Sequence, residues 1–144
     1  MADVVFSAVI DIEPKTKKNS QVIARGRGGR PFIMQSKDYL QYEAQSTNIL
    51  KQNIKNIIMT KKDEMPINYP VNICALYYRA TRRRVDLVNL SEALCDVLVN
   101  AGVLADDNFQ IVASMDGSKV LIDRERPRTE VIITKLEDAD IEQG

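Results

Sequence analysis

The stretch from Pro66 to Gly102 limits what this chain can fold into more than any other. Pro66 and Pro70 break whatever precedes them. Val71 to Tyr78 is β-branched and aromatic, which predicts a strand. It runs, without glycine or proline, into Arg79-Ala80-Thr81-Arg82-Arg83-Arg84. Leu87, Leu90, Leu94, Val97 and Leu98 then recur at helical spacing, which predicts a helix ending near Asn100, with Gly102 as its stop signal. A strand must therefore hand over to a helix through a run of arginines, with Asp86 at the helix's N-terminal edge.

The flanking segments complete a mixed pattern. Val4 to Ile12 alternates as a strand with both faces largely covered. Pro14 to Ser20 is a basic loop. Gln21 to Ala24 and Pro31 to Gln35 are predicted to flank Arg25-Gly26-Arg27-Gly28-Gly29-Arg30, a flexible basic hairpin tip. Ser36 is a candidate N-cap for a long helix to about Thr60, with Leu40, Ala44, Thr47, Ile54 and Ile58 on one face and Leu50 and Ile57 beside it. Tyr39, Tyr42, Ile49 and Ile57 leave that helix with more apolar positions than one face needs, making it a candidate dimer surface. Val103 to Asp107 reads as a turn. Gln110 to Ser114 and Lys119 to Ile122 read as strands joined by a turn at Asp116-Gly117, and Thr129 to Lys135 closes the sheet. The expected fold is α+β: one small domain over residues 1–136, a mixed sheet with two helices, and an acidic flexible tail over 137–144.

Histidine is absent. That excludes Ser-His-Asp triads, Cys-His nucleophiles and His-based zinc sites, and leaves carboxylates, lysines or a metal to do any chemistry. Cys74 and Cys95 both sit in apolar runs and read as small buried hydrophobes, neither a disulfide nor a zinc site. No apolar run approaches a membrane span and the first residues lack a signal-peptide pattern, so a cytoplasmic protein with no membrane partner is expected, and no small-molecule cofactor is expected either. Net charge is zero, yet the distribution is polarised. The tail carries Glu137, Asp138, Asp140 and Glu142 and no base, whereas Pro14 to Lys37 carries Lys15, Lys17, Lys18, Arg25, Arg27, Arg30 and Lys37 and no acid.

Arg82, Arg83 and Arg84 stand just ahead of Asp86, then Asp106-Asp107, then Asp116. Arginine holds phosphate through a rigid fork of donors. Carboxylates beside it would repel a nucleic-acid backbone unless they hold a hard divalent cation such as Mg²⁺ or Mn²⁺. The pattern therefore reads as a metal-dependent phosphodiesterase acting on nucleic acid. The plainer alternative is a solvated ion-pair surface, the usual fate of a charge run.

The run Arg82-Arg83-Arg84-Val85-Asp86-Leu87-Val88-Asn89-Leu90, followed by Asp96-Val97-Leu98 and Ala101-Gly102-Val103-Leu104-Ala105-Asp106-Asp107, resembles the RusA family of Holliday-junction resolvases. Pro14 to Ser20, with Lys18-Asn19-Ser20, is more weakly similar to the same family's Pro-Ser-Asn loop. The resemblance implies a small homodimeric nuclease, common in phages and prophages, that cuts four-way DNA junctions with Mg²⁺ or Mn²⁺. The family's first catalytic aspartate falls on Asp86 and its later one on Asp107, with Asp106 beside it. Two positions depart from the pattern: the family's second aspartate is Val88 here, and its functional lysine is Glu92. Asp116 is the candidate substitute ligand beside Asp86 and Asp107, and Lys119 the candidate substitute charge.

On this reading Arg82, Arg83, Arg84, Lys15, Lys17, Lys18, Asn19, Arg25, Arg27, Arg30 and Lys119 hold the backbone of branched double-stranded DNA without reading sequence. A twofold dimer would supply two such surfaces at a fixed angle. The competing expectation is a DNA-binding module on the same fold whose cutting has been impaired by Val88 and Glu92.

Overall fold

The computed structural model describes residues 3–17, 21–61 and 65–137, so Lys18, Asn19 and the tail beyond Glu137 lie outside the described residues. Its elements are β1 (Asp3–Ile10), β2 (Gln21–Arg25), β3 (Pro31–Gln35), α1 (Lys37–Lys61), β4 (Val71–Arg79), α2 (Leu87–Asn100), β5 (Val112–Ser114), β6 (Lys119–Ile122) and β7 (Arg128–Lys135). The fold is α+β. The main sheet runs β1-β7-β4-β5, with β6 also on β4. β7 is antiparallel to both β1 and β4, whereas β5 and β6 are parallel to β4. The β2–β3 hairpin forms its own two-stranded sheet.

Strand alternation decides which face the helices cover. Val71, Ile73, Ala75 and Tyr77 of β4 are buried, as are Phe6 and Ile10 of β1 and Val131 and Ile133 of β7. They share one core with Leu50 and Ile54 of α1 and with Leu90, Leu94, Val97 and Leu98 of α2. The intervening positions are half-buried or exposed, Val4, Val9 and Ile132 among them. β1 is therefore not covered on both faces as its sequence predicts. It is an edge strand with one wet side, which an antiparallel sheet tolerates.

α1 begins as predicted, with the Tyr39 amide donating to Ser36 Oγ at 3.1 Å. Its buried face agrees with the prediction at Leu50 and Ile54 and departs from it nearer the start. Tyr39, Tyr42, Ser46, Leu50 and Ile54 point inward, while Leu40 is 45% exposed and Ala44 is exposed. The helix is rotated because Tyr39 and Tyr42 pack on each other, on Ala93 of α2 and on Ile12. That same burial removes both tyrosines from any dimer surface. The side chains of Ile57 and Ile58 lie outside the described residues.

The segment after α2 also differs from expectation. Leu104 forms a parallel bridge with Ile67, so the predicted turn is anchored to the chain leading into β4. β5 and β6 do not form a hairpin about Asp116-Gly117. Both pair in parallel with β4, as two pieces of one interrupted edge. Side chains bridge the interruption: Asn72 Oδ1 accepts the Asp116 amide at 2.8 Å and Asn72 Nδ2 donates to the Asp116 carbonyl at 3.1 Å. Ser118 Oγ accepts the Ala75 amide at 3.0 Å and donates to the Ile73 carbonyl at 3.1 Å. Gly117 sits there at φ 87°, where an L side chain is strained.

Candidate active site

α2 positions most of the site. Its N-cap is Asp86, with extended backbone angles (φ −91°, ψ 127°), whose carbonyl accepts the amides of Asn89 and Leu90. The Asp86 carboxylate does not cap the helix amides, the ordinary use of such a residue. It takes the Asn89 side-chain amide at 3.2 Å and is exposed. Arg82, Arg83 and Arg84 immediately before it are all exposed. They line a shallow groove with Arg79 and the β6 residues Val120 to Ile122. Arg79 donates to the Arg83 carbonyl. The three arginines next to Asp86 are left for solvent or an anion.

The other end of α2 closes on Gly102, at φ 83°, with the Val103 amide returning to the Leu98 carbonyl. The chain then presents Asp106 and Asp107. Asp106 Oδ1 accepts the Asp107 amide at 2.7 Å and Oδ2 accepts the Asn108 side chain at 3.2 Å. These donors hold Asp106 below the usual carboxylate range. Asp107 is shifted the other way, first by partial desolvation, then by Asp106 beside it and by the charge of Asp96. The two adjacent carboxylates are therefore shifted in opposite directions.

Asp96 and Glu43 complete this region. Lys17, Glu43 of α1, Asp96 and Asn100 of α2, Asp106 and Asp107 line one concavity of about 320 Å³. Lys17 ion-pairs with Asp96. Its pKa is raised, chiefly by the hydrogen bond to Asp96, against desolvation, with the charges of Asp96, Glu43 and Glu92 adding. Thr16 is buried just ahead of it, which anchors the approach of Lys17 to α2. Cys95, pushed up to about 12 by burial and then by the charges of Asp107 and Asp96, is inert.

These placements separate the aspartates. Asp107 lies against the C-terminal half of α2, whereas Asp86 precedes its first turn, roughly 15 Å of helix away from Asp96. Asp116 is pinned to Asn72 at the start of β4. Asp86 instead follows the far end of β4. Among the described residues, no three histidine, cysteine, aspartate or glutamate side chains meet in a metal-holding group. The donors are nevertheless hard oxygens, the ligand type that Mg²⁺ or Mn²⁺ takes.

Lys15 is 4.0 Å from Asp38, a marginal surface pair. Arg25 donates to the Gly29 carbonyl, holding the hairpin tip in a 3-10 turn (Arg27–Gly29), and Arg27 and Arg30 are exposed there. Lys119 is exposed at the start of β6. Other arginines are committed to structure: Arg126 pairs with Asp11, while Arg128 pairs with Asp123 and Glu130 and stacks 3.8 Å over the Tyr78 ring. Asp96 and Glu43 were not among the sequence candidates. Asp96 stands one position from the buried Cys95 on the wet side of α2, a signal that helical periodicity carries, but its partner Lys17 is visible only in three dimensions.

Residues 11–134 match the family model described as Endodeoxyribonuclease RusA, and the chain belongs to that family. No curated protein matches the chain. Among the described residues no helix is long and apolar enough to cross a membrane.

Proposed function

We propose that this member of the RusA endodeoxyribonuclease family hydrolyses phosphodiester bonds in four-way (Holliday) or otherwise branched DNA. It would act as a Mg²⁺- or Mn²⁺-dependent homodimer in the cytoplasm of a bacterial or phage-infected cell. The observation that carries the reading is the concavity in which Lys17 faces Asp96, Asp106, Asp107 and Glu43, in a chain whose arginine run is exposed.

Asp86 and Asp107 are proposed as metal ligands at separate positions, one at each end of α2, with Asp106 catalytic beside Asp107 and Asp116 as a further ligand. A bound divalent cation supplies Lewis acidity and a water of lowered pKa. The chain's own groups do the rest. Asp107, raised first by partial desolvation and then by Asp106, is proposed to accept a proton from the attacking water. Lys17 offsets the negative charge of Asp96 and can donate to a phosphate oxygen. Arg82, Arg83 and Arg84 hold backbone phosphates, joined by Lys15, Lys18, Asn19, Arg25, Arg27, Arg30 and Lys119 along the duplex arms. Asp86 and the arginines stand at one end of α2 and Asp107 at the other, so the DNA strand is proposed to run along the helix rather than across it.

A second reading is favoured by a specific observation. Val88 is 76% exposed and Glu92 is also exposed, at the two positions where the family pattern has an aspartate and a lysine, and no three-carboxylate group is assembled among the described residues. That suits a DNA-binding module with impaired cutting. Nicking of a synthetic four-way junction in Mg²⁺ or Mn²⁺, set against binding in EDTA, separates the two. Cutting supports the nuclease, and salt-dependent binding without cutting supports the module.

A further inference from the structure

Phe109 is 80% exposed, the most exposed large hydrophobic side chain among the described residues. It stands two residues past Asp107 on a loop that is tightly held. Asn108 donates to Asp106 Oδ2, its side-chain oxygen accepts the Gln110 amide at 2.9 Å, and its carbonyl accepts the amides of Ile111 and Val112. Ile111 is buried, and its carbonyl accepts the Val71 amide at 2.8 Å. The residues on either side of Phe109 are thus tied down while its ring faces water.

A solvent-facing aromatic ring on a tied-down loop beside a proposed phosphodiester-cutting site calls for a flat apolar ligand. Continuous duplex offers none, because its base faces are stacked inside and its surface is phosphate and sugar. A branch point does offer one, since stacking is interrupted there and a base face is open. Aromatic rings bind such faces whatever the base. We propose that Phe109 stacks on an unstacked nucleobase at the branch and thereby makes this protein prefer branched over linear DNA. This rests on the nuclease-family reading of the site and adds the substrate feature that the site senses.

The test uses the full chain in EDTA, with four-way junctions carrying 2-aminopurine at the branch and linear duplexes of the same sequence. Wild type is expected to prefer the junction and to change the 2-aminopurine fluorescence. Phe109→Ala should lose about ten-fold or more in junction affinity, with the fluorescence change gone and linear-duplex affinity unchanged. Phe109→Trp should restore both, and Phe109→Leu, apolar but without a π face, should not. The proposal is overturned if Phe109→Ala binds junctions as wild type does, if it loses linear and branched DNA equally, if Phe109→Leu rescues as well as Phe109→Trp, or if wild type shows no junction preference. Failure of the nuclease reading would look different: wild type would bind the junction and change the fluorescence in EDTA, yet leave it uncut in Mn²⁺.

Discussion

Lys17 and Asp96 form an ion pair that joins the loop ahead of β2 to the solvent side of α2, at the mouth of the concavity holding Asp106 and Asp107. Removing the ammonium leaves Glu43, Asp96, Asp106 and Asp107 lining the concavity without the Lys17 charge. Lys17→Met should therefore lower cleavage by 10- to 10²-fold, roughly the contribution of one well-placed electrostatic group. Lys17→Arg should recover part of it. The rates of the three proteins on one junction substrate, with melting curves as a folding control, check this. Unchanged cutting by Lys17→Met would make the pair a surface feature without a part in the reaction.

Asp106 and Asp107 should titrate apart, as a coupled pair with one step below and one above the ordinary aspartate value. Carbon-13 carboxyl NMR reads both steps. Asp106→Asn should bring the remaining step down, because a neighbouring negative charge is gone. Cutting should fall as pH drops through the upper step, where the proposed proton acceptor becomes protonated. The stability signs are opposite. Asp106, lowered in the folded chain, contributes above its unfolded value and loses that as pH falls through its folded one. Asp107, raised, contributes below its unfolded value and loses that as pH rises through its folded one.

The interrupted edge of the sheet gives a stability prediction. Gly117→Ala meets both a positive φ and Cys74 Sγ, 3.1 Å from the new Cβ, and should cost about 1–3 kcal/mol. Cys74→Ala in the same chain should return only the steric part. Asn72→Ala, which removes both bonds to Asp116, should cost roughly 1–3 kcal/mol. Urea unfolding of the variants measures each. A Gly117→Ala protein as stable as wild type would mean that the β5–β6 connection is not built this way.

How far the sequence was legible depends on the range of the forces involved. α2 could be read from its own residues, because Asp86, the leucine spacing and Gly102 act locally. Ser36 as a cap is equally local. The inward face of α1 could be read at Leu50 and Ile54 but not in its first turns, because Leu40 is as apolar as Tyr39 and only packing against Ala93 and Ile12 decides between them. The parallel pairing of β5 and β6 depends on Asn72 and Ser118 replacing backbone ladder bonds at a distance in the chain. In the site, Asp86, Asp106 and Asp107 could be singled out by type and order. The Lys17–Asp96 pair, and the length of helix between Asp86 and Asp107, exist only in the fold.

Arg83→Ala with Arg84→Ala should weaken binding to any DNA sequence and flatten the slope of log affinity against log salt. The expected change is roughly 0.9 for each phosphate that these arginines neutralise in the wild-type complex. Both side chains are exposed, so the melting temperature should hold. An unchanged salt slope would place these arginines outside the DNA interface.

The most direct test is cleavage of a synthetic four-way junction in Mn²⁺ by wild type, Asp107→Asn and Asp86→Asn, with binding measured in parallel in EDTA. Both substitutions keep side-chain volume and remove only the charge that would hold a cation. The account predicts symmetric nicking by wild type, a loss of about 10²-fold or more in each variant, and junction binding that is kept or tightened. Wild-type rates in Asp107→Asn, or no cutting by wild type in either Mg²⁺ or Mn²⁺, would contradict it.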